Sequence, residues 1–387
     1  MTSSAAAFRS RTRRDRVALL GFRPGPGGVG RVMTNLIGGL LELDLTLDLL
    51  LPPGDYPELA ALGDAIGQVR LDADDNAAAR RQLDAYLDWA APDAILSNKD
   101  QTHALLRRDA FRGGRPRTVF RVGTNVPEKL RQQNRLTAPW RQRQLGALLA
   151  EADALVGISP GVTRALDDML RAAPGHRRPA LITIWNPVDR PALAMAAAAA
   201  ADHPWLAMRD RPVIVSVGRL VRAKDFATLI RAFARLRHGR PCRLIIAGEG
   251  RQRQRLEALA RRLGVDGDLD LAGHRSNPFP LVAGADLFVV SSRFEGANNA
   301  LMEAVALGTP CVATDCPSGP GDILEGGRLG PLAPPGDARA LAAAMARALD
   351  AQPDRDALRA SADRFDLARS VAAYAAVLGI DGGRSAG

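Results

Sequence analysis

The sequence predicts an α/β protein built from two doubly wound domains that face each other across a cleft. Short apolar runs alternate with segments of helical periodicity along most of the 387 residues, and the alternation restarts after an alanine-rich stretch at mid-chain. Strands separated by helices form parallel sheets that are covered on both faces. Because the chain exceeds the size of one ordinary core, two domains are expected. Their cleft would form where the carboxyl ends of the strands meet.

Six apolar runs in the first half of the chain are interpreted as strands. They lie at 16–22, 45–52, 94–98, 117–123, 154–159 and 181–187. Helices are predicted at 31–43, 76–91 and 161–173. Ser159 and Pro160 mark one strand-to-helix junction, because serine caps helix N-termini and proline suits the first helical position. These elements define a first, Rossmann-like domain over 16–189, after a disordered basic tail at 1–15.

The second half repeats this rhythm without repeating the sequence. Strands are predicted at 212–218, 242–248, 268–273, 287–292 and 310–315, and helices at 225–237, 251–263, 298–307 and 337–349. Residues 190–211 break the pattern with an unpatterned alanine tract bounded by prolines, which indicates a connector. The second Rossmann-like domain is therefore placed at 212–365. Residues 366–387 are expected to form a helix that packs back towards the first domain, followed by a tail.

The positive charge of the chain is concentrated in one region. The net charge is +10, and residues 101–150 hold eleven basic and two acidic side chains. A basic surface of this kind suits anionic lipid or a phosphorylated acceptor, although a solvated face is an equal alternative. Nucleic acid is not expected as a partner, because aromatic residues form 4% of the chain and no stacking motif accompanies the arginines.

The cysteines and the hydropathy pattern bear on location. Cys242, Cys311 and Cys316 are too few and too irregularly spaced for a disulfide framework, so buried thiols in a reducing cytoplasm are expected. No apolar stretch approaches the roughly 20 residues that span a bilayer. The sequence therefore predicts a cytoplasmic protein.

A glycine-rich stretch follows the first predicted strand. Gly25, Gly27 and Gly30 match G-x-G-x-x-G between a strand and a helix, which is the dinucleotide-binding fingerprint. A nicotinamide site would also need an acidic residue at the end of the second strand. Asp48 instead falls within that strand. We therefore interpret Gly27 and Gly28 as glycines that let the backbone approach the phosphates of a ligand, and an NAD(P)-dependent oxidoreductase stays an alternative.

Two stretches of the second half combine residue types suited to a sugar nucleotide. Arg219 and Lys224 follow a strand and precede a helix, where two cations are placed to hold a diphosphate, although a surface loop is the simpler alternative. Glu295 and Glu303 are separated by seven residues, and carboxylates accept hydrogen bonds from vicinal hydroxyls. The backbone amides at 297–299 open the intervening helix and form an anion site. Taken singly, each glutamate is also consistent with an ordinary helix residue.

The order of these motifs resembles one enzyme family. "GRLVRAK", "AGEGRQRQRLEAL", "AGHRSNPFP" and "SSRFEGANNALMEAVALGTPCVATDCPSGPGDIL" follow one another in the second half. Together they resemble the donor-binding domain of the retaining GT-B glycosyltransferases of glycosyltransferase family 4. The first half resembles the family through "GPGGVGRVMTNLIGGL", "ADALVGISPGVTRAL" and "IWNPVD". The resemblance covers roughly residues 16–350.

The resemblance implies roles for the matched residues. Arg219 and Lys224 would stabilise the departing diphosphate, Glu295 would contact a hydroxyl of the transferred sugar, and Glu303 would bind the ribose. Stabilising charge where it develops is usually the largest catalytic contribution. The remaining donor-binding positions would be Gly27, Gly28, Gly218, Ala297, Asn298 and Asn299. No metal and no cofactor besides the sugar nucleotide is implied, in agreement with the absence of a clustered His/Asp pattern.

The acceptor side departs from the family pattern. Many relatives have a histidine after the fourth strand, where this chain has Thr124 and Asn125, which can hydrogen-bond a sugar but cannot replace imidazole in proton transfer. His103, the histidine closest to this position, is expected to be structural or to lie at the surface. The resemblance implies that the acceptor lies on the first domain. Residues 107–143 mix cations with apolar residues, and we expect them either to contact an anionic membrane or to pack on the domain.

The resemblance thus implies a retaining hexosyl- or N-acetylhexosaminyltransferase that uses a nucleotide-diphosphate sugar, most simply a UDP-sugar. Its acceptor would be a glycan or a lipid-linked saccharide of bacterial surface polysaccharide or lipopolysaccharide biosynthesis. A cytoplasmic enzyme at the inner face of the membrane fits this role. A GT-B epimerase and a non-catalytic glycan-binding protein are the further alternatives.

Overall fold

The structure is a computed structural model that describes residues 14–22, 27–52, 54, 56, 59, 66–71, 76–107, 115–351 and 354–380. The predicted tail therefore lies outside the described residues up to position 13, and Asp15 already begins the first strand. Gly25 and positions 381–387 also lie outside them. No helix of the described part is long and apolar enough to cross a membrane.

The first sheet is parallel and central to the first half of the chain. It contains seven strands in the order β3-β2-β1-β4-β5-β6-β7. The strands are β1 (Asp15–Leu20), β2 (Leu45–Leu51), β3 (Ile66–Arg70), β4 (Ala94–Ser97), β5 (Arg117–Val122), β6 (Ala154–Gly157) and β7 (Ala180–Thr183). The helices among them are α1 (Gly28–Leu41), α2 (Asn76–Ala90), α3 (Asp100–Ala104), α4 (Val126–Gln133), α5 (Ala138–Leu149) and α6 (Pro160–Arg171). Ser159 caps α6, with its Oγ 3.3 Å from the amide of Val162.

The predicted connector at 190–211 is largely helical. Helices α7 (Arg190–Ala197) and α8 (Pro204–Met208) occupy most of 190–211. Asp189 caps α7 by accepting a hydrogen bond from the amide of Ala192 at 3.0 Å. Leu193 and Leu206 are buried against the second domain. The alanine tract forms a helix because alanine has the highest helix propensity. The two leucines pack these helices on the second domain, a contact that the hydrophobic periodicity of the segment did not indicate.

The second sheet is also parallel and has six strands in the order β10-β9-β8-β11-β12-β13. They are β8 (Val213–Val217), β9 (Arg243–Ala247), β10 (Leu269–Gly273), β11 (Leu287–Val290), β12 (Cys311–Thr314) and β13 (Leu332–Ala333). The helices of this part are α9 (Phe226–Gly239), α10 (Arg253–Arg262), α11 (Phe279–Gly284), α12 (Asn299–Ala306), α13 (Pro320–Ile323), α14 (Ala338–Asp350) and α15 (Arg355–Ser361). Its three cysteines are free and buried.

The last described helix, α16 (Leu367–Leu378), returns to the first sheet. Val371 and Tyr374 are buried in the same core as the apolar side chains of α1 and β2. A Cβ on Gly39 of α1 would lie 2.4 Å from Val371 Cγ2, so that glycine lets the two helices approach closely. The Arg117 Nε donates to the carbonyl of Val377 at 2.6 Å. The end of the chain thus joins the first domain after the second domain is complete.

Candidate functional site

Two loops of the second domain lie side by side at the carboxyl ends of β8 and β11. These strands are parallel neighbours, so the segments that follow them, 218–225 and 291–298, emerge at the same sheet edge. The hydroxyl of Ser291 donates to the carbonyl of Lys224 at 2.8 Å. The amide of Arg293 donates to the carbonyl of Ala223 at 2.8 Å. The loop with the predicted cations is therefore fixed to the loop with the first predicted glutamate.

Glu295 accepts three hydrogen bonds on one oxygen. Its Oε1 lies 2.6 Å from Lys224 Nζ, 2.5 Å from Ser292 Oγ and 2.9 Å from Asn298 Nδ2. This arrangement places the predicted Lys224 and Glu295 in direct contact and restricts both side chains. Arg219, the second predicted cation, is exposed and has no carboxylate partner among the described residues. A Cβ on Gly218 would come within 3.5 Å of Lys224 Cε.

Asp225 anchors the loop next to Lys224. It has a left-handed backbone with φ of 44°, and 7% of the residue is exposed. One carboxylate oxygen accepts from Thr228 Oγ1 and from Arg293 Nε, each at 2.9 Å. Aspartate tolerates the left-handed region better than most residues because its side chain bonds locally. Asp225 was not predicted as a site residue, although its position next to Lys224 in the sequence could have indicated it.

Glu303 is ion-paired with a residue of the other domain. Arg31, in the first turn of α1, places Nε 3.2 Å and Nη2 3.1 Å from Glu303 Oε1. The Arg31 guanidinium also covers the Phe279 ring at 4.6 Å from its centroid. Burial raises the pKa of Glu303 to about 7, against the lowering effect of Arg31. Glu303 was predicted from the sequence, whereas Arg31 was not, because its partner lies 272 positions away in the chain.

The N-terminus of α12 connects the two domains. Asn298 is its N-cap and accepts from the amide of Leu301 at 3.0 Å, so the helix begins at Asn299, one residue later than predicted. Asn299 Nδ2 donates to the carbonyl of Gly28 at 3.0 Å, and Asn299 Oδ1 accepts from Asn186 Nδ2 at 2.7 Å. Half-buried Ala297 lies in the preceding turn.

The glycine loop of the first domain meets this helix through Gly28. A Cβ there would lie 3.3 Å from Asn299 Nδ2, which is tighter than most contacts, whereas a Cβ on Gly27 would meet nothing within 4 Å. Gly27 has a φ of 87°, which favours glycine. Asp48 is buried and accepts from Tyr86 Oη at 2.7 Å. That carboxylate therefore serves the core of the first domain and does not face the glycine loop.

The predicted acceptor-side residues have different surroundings. Asn125 caps α4 by accepting from the amide of Glu128 at 3.0 Å, and its Nδ2 donates to Ser318 Oγ of the second domain at 2.9 Å. Thr124 is half-buried beside Gly296. Asn125 thus holds the domains together in this conformation, while Thr124 belongs to the contact surface.

His103 is structural in its surroundings, as expected. It is buried, its Nδ1 lies 2.8 Å from Ser97 Oγ, and its ring stacks on Phe120 at 4.4 Å. Burial lowers the pKa of His103 to about 3, so the ring is neutral. Among the residues that the structure describes, no group of three or more His, Cys, Asp or Glu side chains is arranged to hold a metal ion.

A cavity of about 190 Å³ opens between the domains beside the Arg31–Glu303 pair. Asn186, Phe279 and Asn299 also line it. Arg121 orients Asn186 by donating to its Oδ1 at 2.5 Å. The cavity therefore has a carboxylate, a guanidinium, carboxamides and an aromatic ring in its walls, beside side chains that are mostly apolar.

Comparison with known proteins bears on both domains. Residues 211–351 match the family described as glycosyl transferases group 1. A lipopolysaccharide core biosynthesis glycosyltransferase of Rhizobium meliloti is 40% identical over 136 residues, which cover 35% of this chain and 39% of the relative. An N-acetylgalactosaminyltransferase of Campylobacter jejuni that acts on a diphospho-undecaprenol saccharide is 37% identical over 33% of this chain and 34% of its own length. The matching segments thus span about a third of these relatives.

Solved structures resemble nearly the whole chain. The Anabaena protein HepE in complex with UDP superposes with a TM-score of 0.74 and 19% identity, over 95% of this chain and 99% of that one. A lipopolysaccharide outer core galactosyltransferase gives 0.71 and 20% identity, over 94% and 99%. These comparisons confirm the prediction of two Rossmann-like domains in the GT-B arrangement. They also confirm the resemblance of the second domain to surface-polysaccharide glycosyltransferases, whereas assignment to family 4 stays a prediction.

Proposed function

We propose that the chain is a glycosyltransferase that moves a sugar from a nucleotide-diphosphate sugar, specifically a UDP-sugar, to a glycan or lipid-linked acceptor. The observation that carries the proposal is the contact between Lys224 and Glu295 at the sheet edge, within the domain that matches glycosyl transferases group 1. The family match and the UDP complex of a GT-B neighbour support it.

In this proposal the cations act on the leaving diphosphate. Lys224 is positioned by Glu295 and by its backbone bond to Ser291, and exposed Arg219 would contact the same anion. Two fixed positive charges lower the free energy of the transition state in which negative charge builds on the diphosphate. The amides of 297–299 would add the partial positive charge of a helix start. No metal is needed for such an arrangement, and we propose a metal-independent reaction.

Glu295 and Glu303 would select the sugar and the ribose. Glu295 Oε2 accepts no hydrogen bond from the part of the chain that the structure describes, and this atom can accept from a sugar hydroxyl. Glu303 would accept from the ribose hydroxyls once Arg31 shares or releases it. Retention of configuration, by attack from the face that the leaving diphosphate vacates, is part of the proposal and rests on the family resemblance.

The acceptor would lie on the first domain, and we propose peripheral contact of that domain with an anionic membrane. Leu136 and Trp140, at the α4–α5 turn, are exposed to 92% and 62%. Arg135, Arg141 and Arg143 flank them and are exposed. Apolar side chains next to arginines suit the boundary between acyl chains and anionic headgroups. A lipid-linked acceptor of surface polysaccharide synthesis would be presented at this boundary.

The test is a screen of UDP-, GDP- and ADP-sugars for thermal stabilisation of the full chain, because a bound ligand raises the apparent stability. The stabilising sugar nucleotide is then used in radiolabelled form with membrane extracts as the acceptor source. Lys224→Ala and Glu303→Ala should abolish transfer and keep the fold, whereas Arg235→Ala, a change on an exposed face of α9, should leave it unchanged.

Failure of every sugar nucleotide to bind or turn over would contradict the proposal. Activity that survives both site variants would contradict the assignment of the site. Conversion of the donor alone to an epimer would identify the epimerase alternative, and nicotinamide binding would identify the oxidoreductase.

A further inference from the structure

A second, larger groove lies between the domains and is rich in arginine. It encloses about 990 Å³ and is lined by the end of α4 and the following turn on one side, and by the Lys224 loop, α9 and α10 on the other. Six arginines line it: Arg131, Arg135, Arg222, Arg231, Arg255 and Arg293. The first two come from the first domain and the other four from the second.

Most of this positive charge is not neutralised locally. Glu128 and Asp225 are the acidic side chains that line the groove. Arg131 pairs with Glu128 at 3.1 Å and Arg293 with Asp225 at 2.9 Å. The other four guanidiniums, those of residues 135, 222, 231 and 255, have no carboxylate partner among the described residues. Unpaired positive charges along one concave surface repel each other and attract an anion.

The groove shares its wall with the site proposed for the donor. Arg222 and Lys224 belong to one 3₁₀ turn, Arg222–Lys224. Lys224 contacts Glu295, whereas Arg222 lines the groove. Arg293 likewise lines the groove, while its neighbour Ser292 donates to Glu295. An anionic ligand in the groove would therefore sit one loop away from the leaving diphosphate, in a separate space.

We propose that this arginine groove binds the phosphate or diphosphate group of the acceptor. The inference rests on the proposed transfer from a sugar nucleotide. Guanidinium groups bind phosphate oxygens in a bidentate manner, and four unpaired groups exceed the need of a single phosphate. The volume is at the upper end of ligand pockets, so it also has room for the saccharide that the phosphate carries. The contributions of both domains make binding dependent on the closed arrangement.

The experiment measures binding of inorganic pyrophosphate to the full chain by calorimetry, at constant ionic strength, after saturation with UDP to fill the donor site. The groove variant is Arg222→Gln/Arg231→Gln/Arg255→Gln. The control variant is Arg235→Gln/Arg261→Gln/Arg339→Gln, which removes three exposed arginines outside the groove, from α9, α10 and α14. We expect the groove variant to bind pyrophosphate at least about tenfold more weakly, since each change removes a charge-assisted hydrogen bond. The affinity of the groove variant for UDP should stay within twofold of the parent. The control variant should also bind within twofold of the parent, both UDP and pyrophosphate.

Three results would overturn the inference. Equal weakening in both triple variants would show a general effect of net charge. Pyrophosphate binding that persists in the groove variant and disappears in Lys224→Ala would place the anion in the donor site. The third result is a groove variant that binds pyrophosphate as the parent does but binds phosphatidylglycerol-containing vesicles more weakly, relative to phosphatidylcholine alone. It would assign the arginines to a membrane surface.

The proposed function and this inference fail in different ways. If UDP does not bind the parent protein, the donor proposal is wrong, but the comparison of the two triple variants still reports on the groove. If UDP binds the parent and the groove variant with equal affinity, and pyrophosphate does not bind the parent at all, the groove inference is wrong and the donor proposal stands.

Discussion

Arg31 of the first domain and Glu303 of the second form an ion pair, with Arg31 Nη2 3.1 Å from Glu303 Oε1. The Glu303 side chain is 12% exposed and that of Arg31 is 31% exposed, so the carboxylate is the more buried partner. A buried carboxylate left without its partner is strongly destabilised. A nucleotide ribose that takes over Glu303 must therefore either keep Arg31 in place or supply equivalent hydrogen bonds.

The raised pKa of Glu303 predicts a pH dependence of nucleotide binding. With a pKa of about 7, this carboxyl is mostly protonated at pH 6 and mostly ionised at pH 8. The ionised form accepts stronger hydrogen bonds from hydroxyls. UDP affinity should therefore rise between these pH values, by up to about tenfold. Calorimetry at both pH values on the parent and on Glu303→Gln measures this. The variant lacks the Glu303 carboxyl but keeps the titration of UDP itself, so the difference between the two proteins reports on Glu303.

Arg31→Met tests the cause of this pH dependence. Removing a cation in contact with a carboxylate raises the pKa of that carboxylate, by at least about one unit. The midpoint of the UDP affinity profile should move to higher pH by the same amount, whereas Arg235→Met on an exposed face should leave it in place. A midpoint that does not move in Arg31→Met would show that another group titrates.

Asp225 is predicted to act as a positioning residue for Lys224. Asp225→Ala removes the acceptor for Thr228 and Arg293 and leaves alanine at a φ of 44°. We expect a loss of about 2 kcal/mol in unfolding free energy and a decrease in kcat of at least about tenfold. Donor KM should change little, since Asp225 does not contact the donor in the proposed mode.

Asp225→Asn provides the conservative comparison. Asparagine tolerates the left-handed backbone and keeps one oxygen acceptor, so kcat should recover in part. Asp356→Ala, which removes an exposed ion pair with Arg359, is the control and should have little effect. Equal kcat values for the alanine and asparagine variants at Asp225 would argue that only its charge matters.

The apolar residues of the α4–α5 turn are predicted to bind membranes. Leu136→Glu/Trp140→Glu replaces two exposed apolar side chains by acidic ones, which should reduce binding to phosphatidylglycerol vesicles at least about tenfold. Vesicle sedimentation measures the bound fraction, with Met195→Glu, an exposed apolar residue of α7, as the control. Equal binding of the double variant and the parent would contradict membrane contact at this turn.

The sequence predicted best those strands and helices that have a local pattern of apolar residues. Most of the strands are apolar runs and were found to within a few residues. Strand β3, "IGQVR", was missed because it lies at the sheet edge and exposes most of its residues. Strand β13 has two residues and no periodicity to detect.

Most of the site residues that could be predicted lie in the second domain. From the first domain the sequence indicated Gly28 and Asn125, which both contact the second domain. Lys224 and Glu295 follow neighbouring strands, and motif order was sufficient to bring them together. Arg31 and Asn186 reach the site from the other domain, and that placement depends on how two domains pack. No spacing rule within either half encodes such a contact. Positions where a glycine permits close approach, such as Gly296, are likewise visible only once both domains are in place.

Gly296→Ala is predicted to disturb catalysis through domain closure. A Cβ at this position would lie 2.4 Å from the carbonyl oxygen of Gly123 and 3.0 Å from the Cα of Thr124, both backbone atoms of the first domain. Since neither can move alone, the domains must separate at this contact. A displacement of about 1 Å in the reacting groups costs on the order of 10²-fold in rate, and we expect a loss of that size in sugar transfer.

The melting temperature should change little in Gly296→Ala, because each domain keeps its own core. Small-angle scattering should show a larger radius of gyration than for the parent. Gly267→Ala is the matched control, since a Cβ there meets no atom within 4 Å. If Gly296→Ala transfers sugar at the parental rate, the contact between Gly296 and Gly123 is not part of the active arrangement. A similar loss in Gly267→Ala would instead point to a general effect of replacing glycine.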